Sequence, residues 1–436
     1  SAVGDTVNLQ GNITNAAGFD QNGAVEVTLG LNQAIAINTS AINGVDFDGN
    51  LKLTQNATIT SGGGINVYGT INSTTNNNIR SLVMQSTNAS TTISINTFQD
   101  IGSTNRLLSL TANPGTNGTV TFQNNTGNTV NVLTTSGITV GDTASRIGNL
   151  NLVEASTNLD GGTGGNIGIG GNINGLQGAD LDFTTSGGAI TVAGTNGIGV
   201  SANRMGDILI SGTPASLQIT GEVYADSITT TNNLASAISI GNQFITNNVK
   251  LYSNNGPVTL GSVTTDNGGL VNSVTVSSGG SGYAASSSFA VTLTGTGVVG
   301  VATGTAQTNS SGVITSISIN SSGSGYVNGN TYTVTGGTGS GATATANVNA
   351  NIDIEANAGA VTVGAIASGT NAAGDITIKH GNTLTLNGNI TGRSFTEATN
   401  SIGNVVVGNT QPLTFQVTGN NQGFKFLNPV QLKLNL

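Results

Sequence analysis

Five short apolar pairs follow one another at almost constant spacing over residues 178–220, and they constrain the fold more than any other stretch. They are Leu181/Phe183, Ile190/Val192, Ile198/Val200, Ile208/Ile210 and Leu217/Ile219, whose first members step by 9, 8, 10 and 9 residues. One residue separates the members of each pair, which puts both side chains on one face of a strand. The separators are mostly Gly, Asn, Ser and Thr, as in Thr185-Ser186-Gly187-Gly188. These are turn formers, and no 3.6-residue period competes.

Even strand spacing with turn signals points to an antiparallel sandwich or barrel, or to a solenoid of stacked coils. Hairpins call for two-residue Asn-Gly or Asp-Gly connections. The connections here are looser, so the spacing predicts an all-β parallel β-helix (solenoid) with two or three strands in each coil of roughly twenty residues. Composition agrees. A chain of 436 residues with 36% hydrophobic and 4% aromatic residues buries its apolar groups most economically in a narrow aliphatic tube whose core grows along its axis.

The same rungs recur outside that stretch. Before it they include Val25/Val27/Leu29, Ile35/Ile37, Ile65/Val67, Val120/Phe122 and Ile138/Val140, with 81–110 the weakest part; after it come Ile238/Ile240 and Val258/Leu260. A different unit then occurs twice. Ser273-Val274-Thr275-Val276-Ser277-Ser278-Gly279-Gly280-Ser281-Gly282-Tyr283 returns 43 residues later as Ser316-Ile317-Ser318-Ile319-Asn320-Ser321-Ser322-Gly323-Ser324-Gly325-Tyr326, and Phe289 and Tyr332 keep the offset. Three regions follow: a β-helix over 1–268, a small inserted β module made of a duplicated Gly-Ser-Gly-Tyr hairpin unit over 269–349, and the remaining β-helix over 350–436 with a terminal pairing strand. Surface corners tolerate such insertions. Tyr283 and Tyr326 either plug the core of each copy or act as aromatic platforms for sugars.

Charge is sparse, with 10 basic against 19 acidic residues and a net charge of −9. That excludes the basic footprint of a nucleic-acid binder. No run approaches eighteen apolar residues, so no membrane span is expected. There are no cysteines, hence no disulfide and no thiolate metal site, which suits export to a bacterial surface. The opening Ser1-Ala2-Val3-Gly4-Asp5 reads as a processed start.

Catalytic residues are hard to find. Asp180 and Asp182 share a strand face, as do Asp46 and Asp48, and glycoside hydrolysis needs two positioned carboxylates. Both pairs read as solvated outer-face residues. The single histidine, His380, lies in a Lys-His-Gly-Asn corner with no carboxylate nearby in sequence, so it reads as a plain corner residue. Weak calcium candidates are Asp46 and Asp48 at EF-loop spacing, without the later glutamate, and Asp160 in Asp160-Gly161-Gly162-Thr163-Gly164-Gly165-Asn166. No other cofactor is expected.

Asp375-Ile376-Thr377-Ile378-Lys379-His380-Gly381-Asn382-Thr383-Leu384-Thr385-Leu386-Asn387-Gly388-Asn389-Ile390-Thr391 resembles the coils of filamentous-haemagglutinin-type adhesins and autotransporter passengers, and Gly11-Asn12-Ile13-Thr14 and Gly171-Asn172-Ile173-Asn174 echo its end. The resemblance implies surface display and a β-helix and carries over no site residue. The duplicated unit is similar to a repeat of phage structural and bacterial surface proteins. Finally, Val430, Leu432, Leu434 and Leu436 form an apolar alternating strand whose expected partner is another subunit's open edge. The resulting expectation is a non-enzymatic, secreted, extracellular cell-surface protein that polymerises with itself into a filament or S-layer. An adhesin stalk contacting surface glycans or other cells is the first alternative, and a carbohydrate-active β-helix enzyme or a phage fibre the second.

Overall fold

A computed structural model describes residues 6–23, 25–30, 32–40, 43–74, 80–87, 92–125, 127–141, 148–231, 234, 237–254, 256–265, 271, 273–298, 300–323, 326, 330–348, 350–367, 372–399, 403–408, 413–417 and 423–432. The chain is all-β, and its parallel strands stack as a β-solenoid. Contacts divide it into two compact units, Ser1–Gln243 with Leu251–Leu260 and Phe244–Lys250 with Gly261–Leu436.

Each coil of the first unit has three faces. Gly137–Val140, Asn166–Ile169, Ala189–Val192, Ser216–Ile219 and Ile238–Ile240 pair in parallel along the first. Phe19–Gln21, Val45–Phe47, Ile65–Val67, Ser94–Thr97, Thr119–Phe122, Asn149–Leu152 and Ile173–Gly175 form the second. Thr129–Leu133, Ser156–Thr163, Asp180–Ser186, Met205–Thr213 and Val223–Thr230 lie on the third. The evenly spaced apolar pairs therefore occupy successive faces. Leu181 stacks on Ile208, Ile190 on Leu217, and Ile198 bridges Ile173 and Val223. A coil needs three apolar steps, so it is longer than the expected twenty residues. Val200 departs from the pattern: it is half-buried and bridges Asn203 in a turn.

Alternation along each strand sends one residue inward and the next outward, as in the buried Leu181, Phe183 and Thr185 of Asp180–Ser186. Parallel register then stacks like on like. The column Ile167, Ile190, Leu217, Ile238 is closed to solvent throughout, each side chain contributing about 1.5–3 kcal/mol of burial. Corners demand close approach: a Cβ on Gly197, held at φ +66°, would collide with the carbonyl of Glu222 in the next coil, so only glycine fits.

In the second unit Val361–Val363, Thr383–Leu386, Asn404–Val407 and Val430–Leu432 make one parallel face. Asn351–Ala356, Ala373–His380 and Ile390–Thr399 make another, continued by Phe415–Val417 and Phe424–Lys425. Between Thr265 and Asn351 the chain leaves this pattern for a six-stranded antiparallel sheet ordered Ser273–Ser281, Ser340–Asn347, Thr331–Thr335, Ser288–Thr294, Ala302–Thr308, Ile314–Ser321. This sheet spans the duplicated unit, and its copies are not separate hairpins. The first strand of each copy pairs with the last strand of the other, and the two middle strands pair together.

Candidate functional site

The Gly-Asn-Ile echo has a mechanical role. Asn12 Oδ1 accepts the backbone N–H of Ala36 at 2.8 Å, Asn172 that of Asn196 at 2.9 Å, and Asn389 that of Thr414 at 2.8 Å. Asn149, Asn166 and Asn351 do the same for Asn172, Ala189 and Asp375. Each acceptor lies one coil before its donor. At a corner the ladder breaks and leaves a backbone N–H unpaired, and asparagine satisfies it without adding charge.

Asp180 and Asp182 do share the outer face of their strand, exposed and half-buried respectively. With Asp207, Ser156, Ser227 and Thr229 they line a shallow recess of about 360 Å³. Asp180 Oδ1 accepts the N–H of Asp207 at 2.8 Å, and Asp207 Oδ1 accepts the Ser227 hydroxyl at 2.6 Å. Burial raises the Asp182 carboxyl above the ordinary aspartate value, hydrogen bonds from Ser211 and Thr184 oppose this, and the charge of Asp160 adds to it. Of the expected residues, these come nearest to an acid–base pair.

The calcium candidates have other partners. Asp160 is ion-paired with Arg106 at 2.6 Å, which also donates to the Thr134 carbonyl, and it accepts the N–H of Gly162. A guanidinium occupies the position a cation would need. Asp46 accepts the Asn66 amide at 2.6 Å within an outward ladder continued by Asn96, and Asp48 accepts the N–H of Gly23. Among the described residues no three acidic or imidazole groups converge as metal ligands.

His380 requires a correction. It is not a plain corner residue: its side chain is closed to solvent, and Nε2 lies 2.8 Å from Oε1 of Glu397, itself fully buried. Glu397 faces inward above Ile378 and also accepts the N–H of Leu427 at 2.6 Å, that of Asn428 at 3.1 Å and the Asn428 amide at 2.9 Å. His380 Nδ1 faces the Asn382 carbonyl at 3.1 Å. Through these contacts the buried His380–Glu397 pair clasps residues 423–432 onto the preceding coil. Seventeen residues separate the partners, which hides the pair from a local reading.

Tyr283 and Tyr326 are 6% and 3% exposed, each inside an apolar cluster of the insert. Tyr283 stacks on Phe289 at 5.4 Å, and Tyr326 meets Tyr332 edge-on at 4.7 Å. The rings are core plugs, and neither offers a face to a sugar. Of the expected assembly residues, Val430 is 42% exposed on a strand paired with Asn404–Val407. Leu432 belongs to that strand, and Leu434 and Leu436 lie outside the described residues.

These features define a parallel β-solenoid with an antiparallel insert and asparagine caps at several coil corners. Compared with protein-family models, curated proteins and solved structures, the chain matches none. Among the described residues no helix is long and apolar enough to cross a membrane.

Proposed function

We propose that this is a non-enzymatic structural protein, secreted to a bacterial cell surface, that builds a filament or layer by adding strands of one copy to the coil edges of another. The carrying observation is the edge at Val430–Leu432. Val430 there and the neighbouring Leu427 are 42% and 55% exposed. An apolar strand edge of this kind is completed by another strand. Outer faces of neutral amides and hydroxyls and the resemblance to surface adhesin coils support the same reading.

The test is the Leu427→Lys/Val430→Lys double variant, compared with the unmodified chain by light scattering and electron microscopy. Both side chains are exposed, so the variant is expected to fold and stay dispersed while the unmodified chain assembles. An unmodified chain that stays monomeric at every concentration, or a variant that assembles equally well, would sink the proposal.

A second reading, a carbohydrate-active solenoid, draws on the raised carboxyl of Asp182 beside Asp180 and Asp207. It requires glycan cleavage that Asp182→Asn abolishes, and silence on a broad polysaccharide panel removes it.

A further inference from the structure

One corner of the first unit is apolar along much of its length. It follows the second face, where register pairs Phe47 with Val67, Val67 with Thr97, Thr97 with Phe122, Phe122 with Leu152 and Leu152 with Gly175. The residues one step beyond therefore stack in a single column: Asp48, Tyr68, Phe98, Gln123, Val153 and Leu176. Backbone bonds from Tyr68 to Phe47, from Phe98 to Val67 and from Leu176 to Leu152 carry the ladder through this column.

Tyr68, Val153 and Leu176 are 43%, 36% and 53% exposed, and Tyr68 lies stacked on Phe98 at 4.6 Å. Among the described residues of this unit, one other large apolar side chain is as exposed. It is Val25, which precedes a strand turning out of the same corner. Chance scatter would spread such residues over all three faces and corners. At about 4.8 Å per rung, Tyr68 to Leu176 spans roughly 19 Å, the reach of about six extended residues.

Three carboxylates lie along this ridge. Asp48 lies in the column, Asp100 two residues beyond Phe98 and Glu154 one beyond Val153, so a carboxylate recurs at every second rung, about 10 Å apart. Among the described residues none of the three is in an ion pair, whereas Lys52 pairs with Glu26, Arg106 with Asp160, and Arg204 sits over the Tyr224 ring. A second copy would bring the same apolar ridge with the same negative charges. We propose that this corner docks an extended polypeptide of opposite charge, with basic side chains reaching the carboxylates and apolar ones covering Tyr68, Phe98, Val153 and Leu176. The proposal is independent of the edge-strand assembly described above.

The test uses the full chain and a fluorescein-labelled peptide of alternating Lys and Leu, followed by anisotropy, with an alternating Glu and Leu peptide for comparison. Binding is expected for the Lys/Leu peptide alone, weakening with salt and dropping at least about tenfold in Tyr68→Ser/Leu176→Ser. Asp48→Asn should weaken it less, and Leu427→Lys/Val430→Lys should leave it unchanged. Equal affinity for the two peptides, or undiminished binding by a folded Tyr68→Ser/Leu176→Ser chain, would overturn the proposal. So would self-association abolished by that same substitution, because the occupant would then be a second copy.

Discussion

His380 Nε2 lies 2.8 Å from Glu397 Oε1, and neither side chain reaches solvent. Removing one member takes a buried hydrogen-bond partner from the other, and Glu397→Ala also strips the acceptor from the Leu427 and Asn428 amides. The expected loss is about 1–3 kcal/mol from the coil that carries these contacts. Hydrogen exchange should show lost protection over 423–432 with the insert unaffected. Unchanged protection at Leu427 and Asn428 would mean the clasp holds nothing.

Asparagine capping predicts a smaller, repeatable effect. Asn172→Ala removes the acceptor for the Asn196 N–H and should cost about 1 kcal/mol in a denaturant titration. Asn172→Asp, which keeps an oxygen at that position, should recover most of it. If both variants lose the same amount, the hydrogen bond is not the cause.

The two copies of the insert are expected to respond unequally to one substitution. The Tyr326 hydroxyl donates to the Leu293 carbonyl at 2.5 Å and accepts the Ala302 N–H at 2.8 Å, both buried. Tyr326→Phe should therefore cost about 1–3 kcal/mol. Among the described residues Tyr283, at the equivalent position, has no such pair of bonds, and Tyr283→Phe should stay within about 0.5 kcal/mol. Thermal melts of the two variants make the comparison, and equal shifts would contradict it.

The raised Asp182 carboxyl predicts a pH trend. When the folded-state value lies above the unfolded one, the protonated group favours folding. That contribution is complete below the ordinary aspartate value and disappears as pH rises through the folded value. Relative to Asp182→Asn, the unmodified chain should thus lose stability between acid and neutral pH, by a small amount because the group is half open to water. Denaturant midpoints of both chains at the two pH values test it, and the reverse trend would mean the carboxylate is favoured in place.

Most of the solenoid was legible in local pattern. Leu181/Phe183 and Ile190/Val192 announce inward faces because alternation is a property of a strand by itself, and the copies at 273–283 and 316–326 announce the insert because an exact offset survives any fold. The site residues were less legible. Asp160 looked like a glycine-turn calcium ligand until Arg106, a full two coils away in sequence, met it. His380 looked solitary for the same reason.

The amino-acid sequence alone determined which side chains point inward, where coils turn, and where the parallel pattern yields to a duplicated module. Tertiary structure decided which rung lies on which: that Leu181 rests on Ile208, that each copy of the insert completes the other, that Glu397 finds His380, and that Tyr68, Phe98, Val153 and Leu176 fall in one column. The reason is physical. Facing is set by bonds between adjacent residues, whereas stacking is set by corner loops of unequal length, and only closed coils bring residues twenty or more positions apart to the 4.8 Å spacing, roughly, at which backbone pairing acts.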